Sequence, residues 1–212
     1  MLQAPVIGIS RHRLSVDGAG VTTLVAFHGC PLRCRYCLNA QCLRPDGIQR
    51  EVTTDELAEE LAVDNLYFLA TGGGVTFGGG EPCLRSAFIV ELISLIDSRW
   101  HINIETSLNV DRCHLERLFP LVHQWIVDVK DINPNIYQQY TGQNNAQVID
   151  NLVWLLSHEG MADRLTVRLP HIPNHNTDAD VKASRSQLEK MGVRHFDEFT
   201  YYIIEKGEKL TQ

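Results

Sequence analysis

The chain contains no long apolar run, no low-complexity segment and no internal repeat. No stretch approaches the length of about 18 uninterrupted apolar residues that a membrane-spanning helix needs. The N-terminus lacks the basic start and apolar run of a signal peptide. The basic residues form no long cluster, and a formal net charge of −7 gives no general attraction to nucleic acid. We therefore expect no membrane and no nucleic-acid partner.

The composition is ordinary for a globular α/β protein. With 212 residues, of which 44% are hydrophobic and 21% charged, the chain is expected to form a single domain over residues 1–212. Six cysteines could indicate disulfides in a secreted protein, but no export signal accompanies them. We therefore predict a cytoplasmic protein whose thiols stay reduced.

Short apolar runs alternate with amphipathic stretches, which predicts a parallel sheet with helices between its strands. The candidate strands are residues 23–28, 74–77, 101–105, 125–130, 165–169 and 199–204. The candidate helices are residues 54–70, 84–99, 111–118, 146–158 and 178–191, the first opened by a capping box from Thr53 to Glu56. Six strand–helix units are too few to close an eight-stranded barrel. The predicted fold is an open, partial (β/α)6 TIM-like barrel.

Charged residues share one face of the predicted strands. Glu105 alternates with isoleucines, Asp128 and Lys130 alternate with Trp125 and valines, and Arg168 lies between aliphatic neighbours. If the aliphatic faces pack against helices, these four charges project inward near the carboxyl ends of their strands. Enzymes with barrels and open α/β sheets assemble their sites at that end. For each residue alone, a solvent-facing charge remains the alternative.

Three cysteines lie within one short segment, Cys30-Pro31-Leu32-Arg33-Cys34-Arg35-Tyr36-Cys37. Thiolates with this C-x3-C-x2-C spacing can hold three irons of a cubane iron–sulfur cluster and leave the fourth iron open. One alternative is a zinc site with His28 as a fourth ligand, although no second pair of cysteines follows. The other is three ordinary buried cysteines. The remaining thiols, Cys42, Cys83 and Cys113, are expected to be buried and free.

A predicted strand lies between two glycine triplets, residues 72–74 and 78–80, and Glu81-Pro82 follows. Glycine weakens a strand, so the second triplet is expected where the backbone approaches a ligand closely. Glu81 offers an acceptor for a cationic amine, and Pro82 ends the strand and begins a helix. A phosphate loop is excluded because no Lys-Ser/Thr pair follows. A merely flexible loop is the alternative.

The cysteine motif together with Gly79-Gly80-Glu81-Pro82 resembles the hallmark of the radical S-adenosylmethionine (radical SAM) superfamily. In detail the chain resembles the glycyl-radical-enzyme activating proteins of the pyruvate formate-lyase activase group, in their short form with a single cluster. The similar segments follow family order, at residues 16–20, 27–34, 73–77, 105–107, 128–130, 140–142 and 168–173. Leu108 departs from the pattern, because the family has a glycine there.

The resemblance implies that Cys30, Cys34 and Cys37 ligate a 4Fe-4S cluster whose open iron chelates S-adenosylmethionine (SAM). It implies catalytic roles for Lys130 and Arg168 and a monovalent cation near Glu105 and Asp128. The SAM contacts that it implies are Tyr36, Asn39, Gly79, Gly80, Glu81, Glu105, Thr106, Ser107, Asp128, Lys130 and Arg168.

The activity implied by the resemblance is reductive cleavage of SAM to methionine and a 5′-deoxyadenosyl radical, which installs a glycyl radical on a partner enzyme. A flavodoxin- or ferredoxin-like protein is the expected electron donor. The first alternative is a radical SAM enzyme acting directly on a small molecule or peptide, similar to deazaguanine-forming synthases, which also carry a segment like Glu105-Thr106-Ser107. The second is a zinc or iron–sulfur binding module without enzymatic activity.

Overall fold

The computed structural model describes residues 1–14 and 17–201, in which eight strands form one sheet. In chain order the strands are β1 (Gln3–Leu14), β2 (Val21–Phe27), β3 (Arg50–Thr53), β4 (Gly74–Gly79), β5 (His101–Thr106), β6 (Gln124–Asp128), β7 (Leu165–His171) and β8 (His195–Thr200). The helices are α1 (Thr54–Ala62), α2 (Asn65–Thr71), α3 (Ser86–Ile93), α4 (Arg112–Leu118), α5 (Pro134–Thr141), α6 (Ala146–Leu156), α7 (Met161–Arg164) and α8 (Asp178–Met191). Single 3-10 turns lie at Ala40–Leu43, Pro45–Gly47 and Pro82–Arg85.

The sheet is open, with strand order β3-β1-β2-β4-β5-β6-β7-β8. From β2 to β8 in this order, neighbouring strands pair in parallel, and helices precede each new strand of this parallel set. The predicted partial barrel is thereby confirmed, since its six parallel strands are present and the two edge strands of the described sheet, β3 and β8, do not pair with each other.

Two strands at one edge were not predicted. β1 pairs antiparallel with β2 on one side and with β3 on the other, which widens the sheet beyond the six parallel strands. Gly8 and the polar run at residues 10–13 interrupt the apolar alternation that identifies a strand in a sequence.

Several predicted boundaries were wrong by a few residues. The last strand runs from His195 to Thr200 rather than over 199–204, of which residues 202–204 lie outside the described part. Lys130 lies two positions beyond the end of β6. The predicted helix 84–99 consists of a 3-10 turn from Pro82 followed by α3. Helices α5 and α7 were not predicted, whereas α8 has the predicted limits.

The predicted helix over residues 54–70 is wrong in one respect, because it is two helices separated at Asp64. Its start is as predicted: Thr53 caps α1 and exchanges hydrogen bonds with Glu56 in a capping box. Asp64 is fully buried and accepts hydrogen bonds from Arg11 Nε and Thr23 Oγ1, each at 2.8 Å. A buried carboxylate needs such donors. The chain therefore turns at Asp64 to bring its side chain to β1 and β2.

The core lies between the aliphatic face of the sheet and the helices. Its fully buried members include, from the strands, Val25, Phe77, Ile104, Trp125 and Val127 and, from the helices, Leu57, Ile89, Leu115, Leu152 and Leu188. Each such side chain contributes roughly 1.5–3 kcal/mol when it leaves water. The predicted alternation is confirmed, because the aliphatic residues of β5 and β6 are buried here and the charges lie on the other face. Across the described ranges, no helix has the length and apolar character needed to cross a membrane.

Candidate active site

A cavity of about 480 Å³ opens at the carboxyl ends of the parallel strands. It collects most of the site residues predicted from sequence, namely Cys30, Cys34, Cys37, Asn39, Gly79, Gly80, Glu105, Thr106, Ser107, Asp128, Lys130 and Arg168. Two predicted residues, Tyr36 and Glu81, do not line it. The inward convergence of Glu105, Asp128, Lys130 and Arg168 expected from strand alternation is present.

The cysteine loop follows β2 and is held by the end of α5. Arg33 N donates to Thr141 O at 2.8 Å, and Arg35 N donates to Tyr140 O at 3.2 Å. Leu32 anchors the loop in the core with 2% exposure. Residues 140–142 were noted in the sequence only for their resemblance to the activase group. In the structure this segment positions the cysteine loop.

The three motif cysteines are a set of ligands that a cubane cluster can use. Among residues 1–14 and 17–201, no three His, Cys, Asp or Glu side chains are grouped so that they could hold one metal ion. In a cubane the three thiolates bind three separate irons, so they need not converge on one point. His28, the fourth ligand of the zinc alternative, instead has its Nε2 at 2.8 Å from Arg44 O. The cavity beside the three half-buried cysteines leaves room for an iron–sulfur cluster and its ligand.

The second glycine triplet packs directly against the cysteine loop. Gly80 N donates to Phe27 O at 2.9 Å, and a Cβ at Gly80 would lie 2.2 Å from Gly29 O. Gly79 has a φ of +92°, and a Cβ there would lie 2.7 Å from Ala26 Cα. Larger side chains would force the two backbones apart. The sequence predicted that these glycines let the backbone approach a ligand closely. The structure shows that they also let it approach the backbone at residues 26–29.

Glu81 is buried at 1% exposure and joins the glycine segment to the end of β5. Its Oε1 accepts from Thr106 Oγ1 at 2.7 Å and from Cys83 N at 3.2 Å. Its Oε2 accepts from Ser107 N at 2.9 Å and from Ser107 Oγ at 2.7 Å. Four accepted hydrogen bonds account for both carboxylate oxygens. In this structure Glu81 holds Thr106 and Ser107 in the wall of the cavity without lining the cavity itself.

Leu108, which stands where the similar family has a glycine, has the backbone conformation that glycine prefers. Its φ is +58°, and its side chain is fully buried. The left-handed conformation costs a non-glycine residue roughly 1–2 kcal/mol. Burial of the leucine side chain offsets a cost of this size.

Arg168 joins three carboxylates at the cavity. Its Nη1 lies 2.7 Å from Glu105 Oε1, its Nη2 lies 3.5 Å from Asp17 Oδ1, and its Nε lies 3.4 Å from Asp197 Oδ2. Asp17 is 1% exposed and is also paired with Arg13. Sequence reasoning gave no role to Arg13, Asp17 or Asp197. Asp17 does lie in the segment 16–20 that resembles the activase group, so a signal existed.

The charge balance around Glu105 raises the pKa of its carboxyl group to about 7. Burial is the main cause, and the neighbouring carboxylates of Asp17 and Asp128 add to it. The Arg168 guanidinium lowers the pKa but does not outweigh them. Burial alone raises the pKa of Asp17, but hydrogen bonds from Arg13 and Glu105, together with the positive charges of Arg13 and Arg168, outweigh it, so the pKa of Asp17 is lowered. The two carboxyl groups thus differ in proton affinity.

Lys130 is a second buried cation that lines the cavity. Its Nζ lies 3.2 Å from Asp128 Oδ2 and donates to Tyr201 Oη at 3.1 Å. Burial alone lowers the pKa of a lysine, but Asp128 and Tyr201 outweigh it and the pKa of Lys130 is raised. Lys130 is therefore a fixed positive charge that can meet a carboxylate. Tyr201, near the end of the described chain, was not predicted to belong to the site.

The two remaining predicted contacts, Asn39 and Tyr36, differ in their position relative to the cavity. Asn39 lines the cavity and its Nδ2 donates to Gly79 O at 3.0 Å. The Tyr36 ring lies outside the lining, 5.6 Å from the His175 ring and 6.1 Å from that of Tyr140. The structure therefore places Asn39 at the cavity and Tyr36 in an aromatic group beside it.

The three thiols outside the motif differ from one another. All six cysteines are free, as expected for reduced thiols. Cys42 and Cys83 are buried as predicted, but Cys113 is exposed, so that prediction was wrong. Cys113 lies on the first turn of α4, on the side of the helix away from the core residues Leu115 and Leu118. Cys42 lines the cavity next to the three motif cysteines, which its isolated position in the sequence did not indicate.

Comparisons with known proteins match the greater part of this chain. A family model described as the radical SAM superfamily matches residues 24–186. The pyruvate formate-lyase-activating enzyme of Staphylococcus aureus (strain USA300) is 32% identical over 173 residues, which cover 78% of this chain and 68% of that enzyme.

Two solved structures share the fold. A domain of a pyruvate-formate lyase-activating enzyme from Bacteroides vulgatus is 23% identical, with a TM-score of 0.50, over 60% of this chain and 78% of that one. Streptococcus suis SuiB bound to S-adenosylmethionine is 12% identical, with a TM-score of 0.62, over 86% of this chain and 43% of that one.

Proposed function

The chain belongs to the radical SAM superfamily, and from this premise we propose that it cleaves SAM reductively in order to install a glycyl radical on a partner enzyme. The family uses a 4Fe-4S cluster and SAM, and the curated relative is an activating enzyme for pyruvate formate-lyase. We propose the same kind of protein substrate for this chain, namely a glycyl radical enzyme.

The observation that carries the proposal is the shared cavity. Three cysteines, Gly79 and Gly80, and the inward charges of Lys130 and Arg168 line one space of about 480 Å³. SAM carries a carboxylate, an ammonium and a sulfonium, so a site that binds it needs charges of both signs in a partly dry space. The cavity provides them.

Each group has a proposed task. Cys30, Cys34 and Cys37 would hold the cluster, which when bound supplies the electron that breaks SAM into methionine and a 5′-deoxyadenosyl radical. Lys130 would meet the SAM carboxylate. Arg168, whose charge is already shared among carboxylates, would keep Glu105 in position at the cavity wall.

Other predicted contacts need different treatment. Glu81 would act on SAM indirectly by holding Thr106 and Ser107 at the cavity wall. A monovalent cation beside Glu105 and Asp128 stays a prediction, and it would compete with Arg168 and Lys130, which already pair with these carboxylates. The predicted cytoplasmic location also stays a prediction.

The first test concerns the cluster and SAM cleavage. Each of Cys30→Ala, Cys34→Ala and Cys37→Ala is expected to lose bound iron and the dithionite-dependent release of 5′-deoxyadenosine. Cys113→Ala is the matched control, because that thiol is exposed and does not line the cavity. If the motif variants keep both properties, the cysteine loop is not the cluster site. If the original protein releases no 5′-deoxyadenosine under dithionite, the non-enzymatic alternative gains support.

The second test concerns the radical acceptor. Reduced protein, SAM and a candidate glycyl radical enzyme are mixed without oxygen, and the expected product is a glycine-centred doublet in electron paramagnetic resonance. Replacing dithionite with a reduced flavodoxin- or ferredoxin-like protein tests the proposed electron donor in the same assay. Deuterium transfer into 5′-deoxyadenosine from a small molecule, with no protein doublet, would favour the alternative similar to deazaguanine-forming synthases.

A further inference from the structure

Cys42 is a fourth thiol at the cysteine loop, and the proposed function gives it no task. It lies five positions beyond Cys37, is 1% exposed and lines the same cavity as Cys30, Cys34 and Cys37. The side chains of Cys37 and Cys42 lie close enough to interact with each other. The fold therefore places Cys42, which the proposed cluster does not need, next to Cys37, which the cluster would use.

The backbone holds Cys42 in this place. The 3-10 turn Ala40–Leu43 begins after Asn39, and Cys42 N donates to Asn39 O at 2.8 Å. Cys42 O accepts from Gly29 N at 2.9 Å, which ties Cys42 to the residue before Cys30. Gly47 packs closely against this turn, since a Cβ there would lie 1.8 Å from Gln41 O. The contact between the two thiols thus follows from a fixed loop.

A bound cluster would occupy the Cys37 sulfur and keep it from Cys42. A disulfide requires a specific approach of its two sulfurs. Without a cluster, Cys37 and Cys42 are neighbouring thiols in one tied loop, which keeps their side chains near each other for that approach. The three motif cysteines are not grouped around one point, whereas Cys42 lies against Cys37.

We propose that Cys37 and Cys42 form a disulfide when the loop carries no cluster and dioxygen is present. Two S–H bonds break and one S–S bond forms, and the two electrons and two protons reduce dioxygen to hydrogen peroxide. A dithiol reductant reverses the reaction by exchange. The disulfide protects Cys37 from oxidation to sulfinic acid, which thiols cannot reverse. The inference rests on the proposed role of Cys37 as a cluster ligand.

Peptide mapping of the cluster-free protein tests the disulfide directly. Trypsin cuts after Arg35 and Arg50 but not between Arg44 and Pro45, so peptide 36–50 contains Cys37 and Cys42 and no other cysteine. After exposure to air and alkylation, this peptide is expected unalkylated and lighter by two hydrogens. After dithiothreitol it is expected to be alkylated at both positions. Full alkylation in the air-exposed sample, or a link to a peptide with Cys30 or Cys34, would overturn the proposal.

Cys42→Ser tests the protective role, because serine is close to cysteine in size and replaces the thiol donor with a hydroxyl donor, but cannot form the bridge. Before air exposure the variant is expected to load as much iron as the original protein. After air exposure and dithiothreitol, the original protein is expected to recover its iron loading and the variant to recover several-fold less, with Cys37 found as sulfinic acid. Equal recovery would refute protection. If neither protein loads iron, the proposed cluster fails, while the peptide map still decides the disulfide.

Discussion

Replacing Glu81 with glutamine separates two roles that this carboxylate can have. Sequence reasoning assigns Glu81 to the ammonium group of SAM, whereas the structure shows both of its oxygens accepting hydrogen bonds from Cys83, Thr106 and Ser107. Loss of these hydrogen bonds lowers the stability of the protein even when no ligand is bound. Loss of a contact made only to SAM does not change that stability.

The expected cost of Glu81→Gln follows from the four hydrogen bonds. An amide offers one acceptor oxygen instead of two, so at least one buried donor of Cys83 or Ser107 faces an NH2 group. An unsatisfied buried donor costs about 1–3 kcal/mol, and the remaining bonds lose the strength that a charged acceptor adds. Together these effects give about 2–4 kcal/mol of lost stability. In a chain of this size that lowers the melting temperature by about 4–16 °C.

The measurement is calorimetric unfolding of the cluster-free, reduced protein. Glu116→Gln on α4 is the matched control, because Glu116 is exposed and the change should stay within about 0.5 kcal/mol. If Glu81→Gln melts like the original protein and yet binds SAM more weakly, the structural role is refuted and the direct contact predicted from sequence is the better account.

Two further predictions concern buried carboxyl groups. Because the pKa of Glu105 is raised to about 7 from its ordinary value of 4.5, the folded state favours the protonated form. Stability from this group is therefore complete below the unfolded pKa and is lost as the pH rises through about 7. Glu105→Gln should flatten this part of the stability profile, measured as melting temperature against pH, and an unchanged slope would contradict the assignment. Asp64→Ala removes the acceptor shared by Arg11 and Thr23 and should cost about 2–3 kcal/mol in urea unfolding, since Arg11 is partly exposed. The exposed Asp150→Ala is its control, and equal losses in the two variants would show that the Asp64 contacts contribute nothing.

Much of the parallel sheet could be predicted because each strand carries a local signal. The strands β5, β6 and β7 alternate aliphatic and charged residues, and this alternation determines which side chains face the helices. From it alone follow the inward positions of Glu105, Asp128 and Arg168. The cysteine and glycine motifs are likewise local, so their positions at the ends of β2 and β4 followed from their neighbours in the sequence.

What could not be predicted depends on contacts between distant residues. The helix break at Asp64 exists because Arg11 and Thr23 offer it buried hydrogen bonds, and no helical signal in residues 54–70 reports those partners. β1 was missed because its pairing with β2 and β3 stabilises a stretch whose own pattern is poor.

The site divides in the same way. Spacing and strand alternation are sufficient to predict the residue types that the chemistry needs and the end of the sheet at which they gather. The partners that each side chain meets there depend on the tertiary structure. It turned Glu81 toward Thr106 and Ser107, brought Asp17 to Arg168 and set Cys42 against Cys37. A buried polar group takes the partners that the folded chain provides, and these partners are distant in sequence.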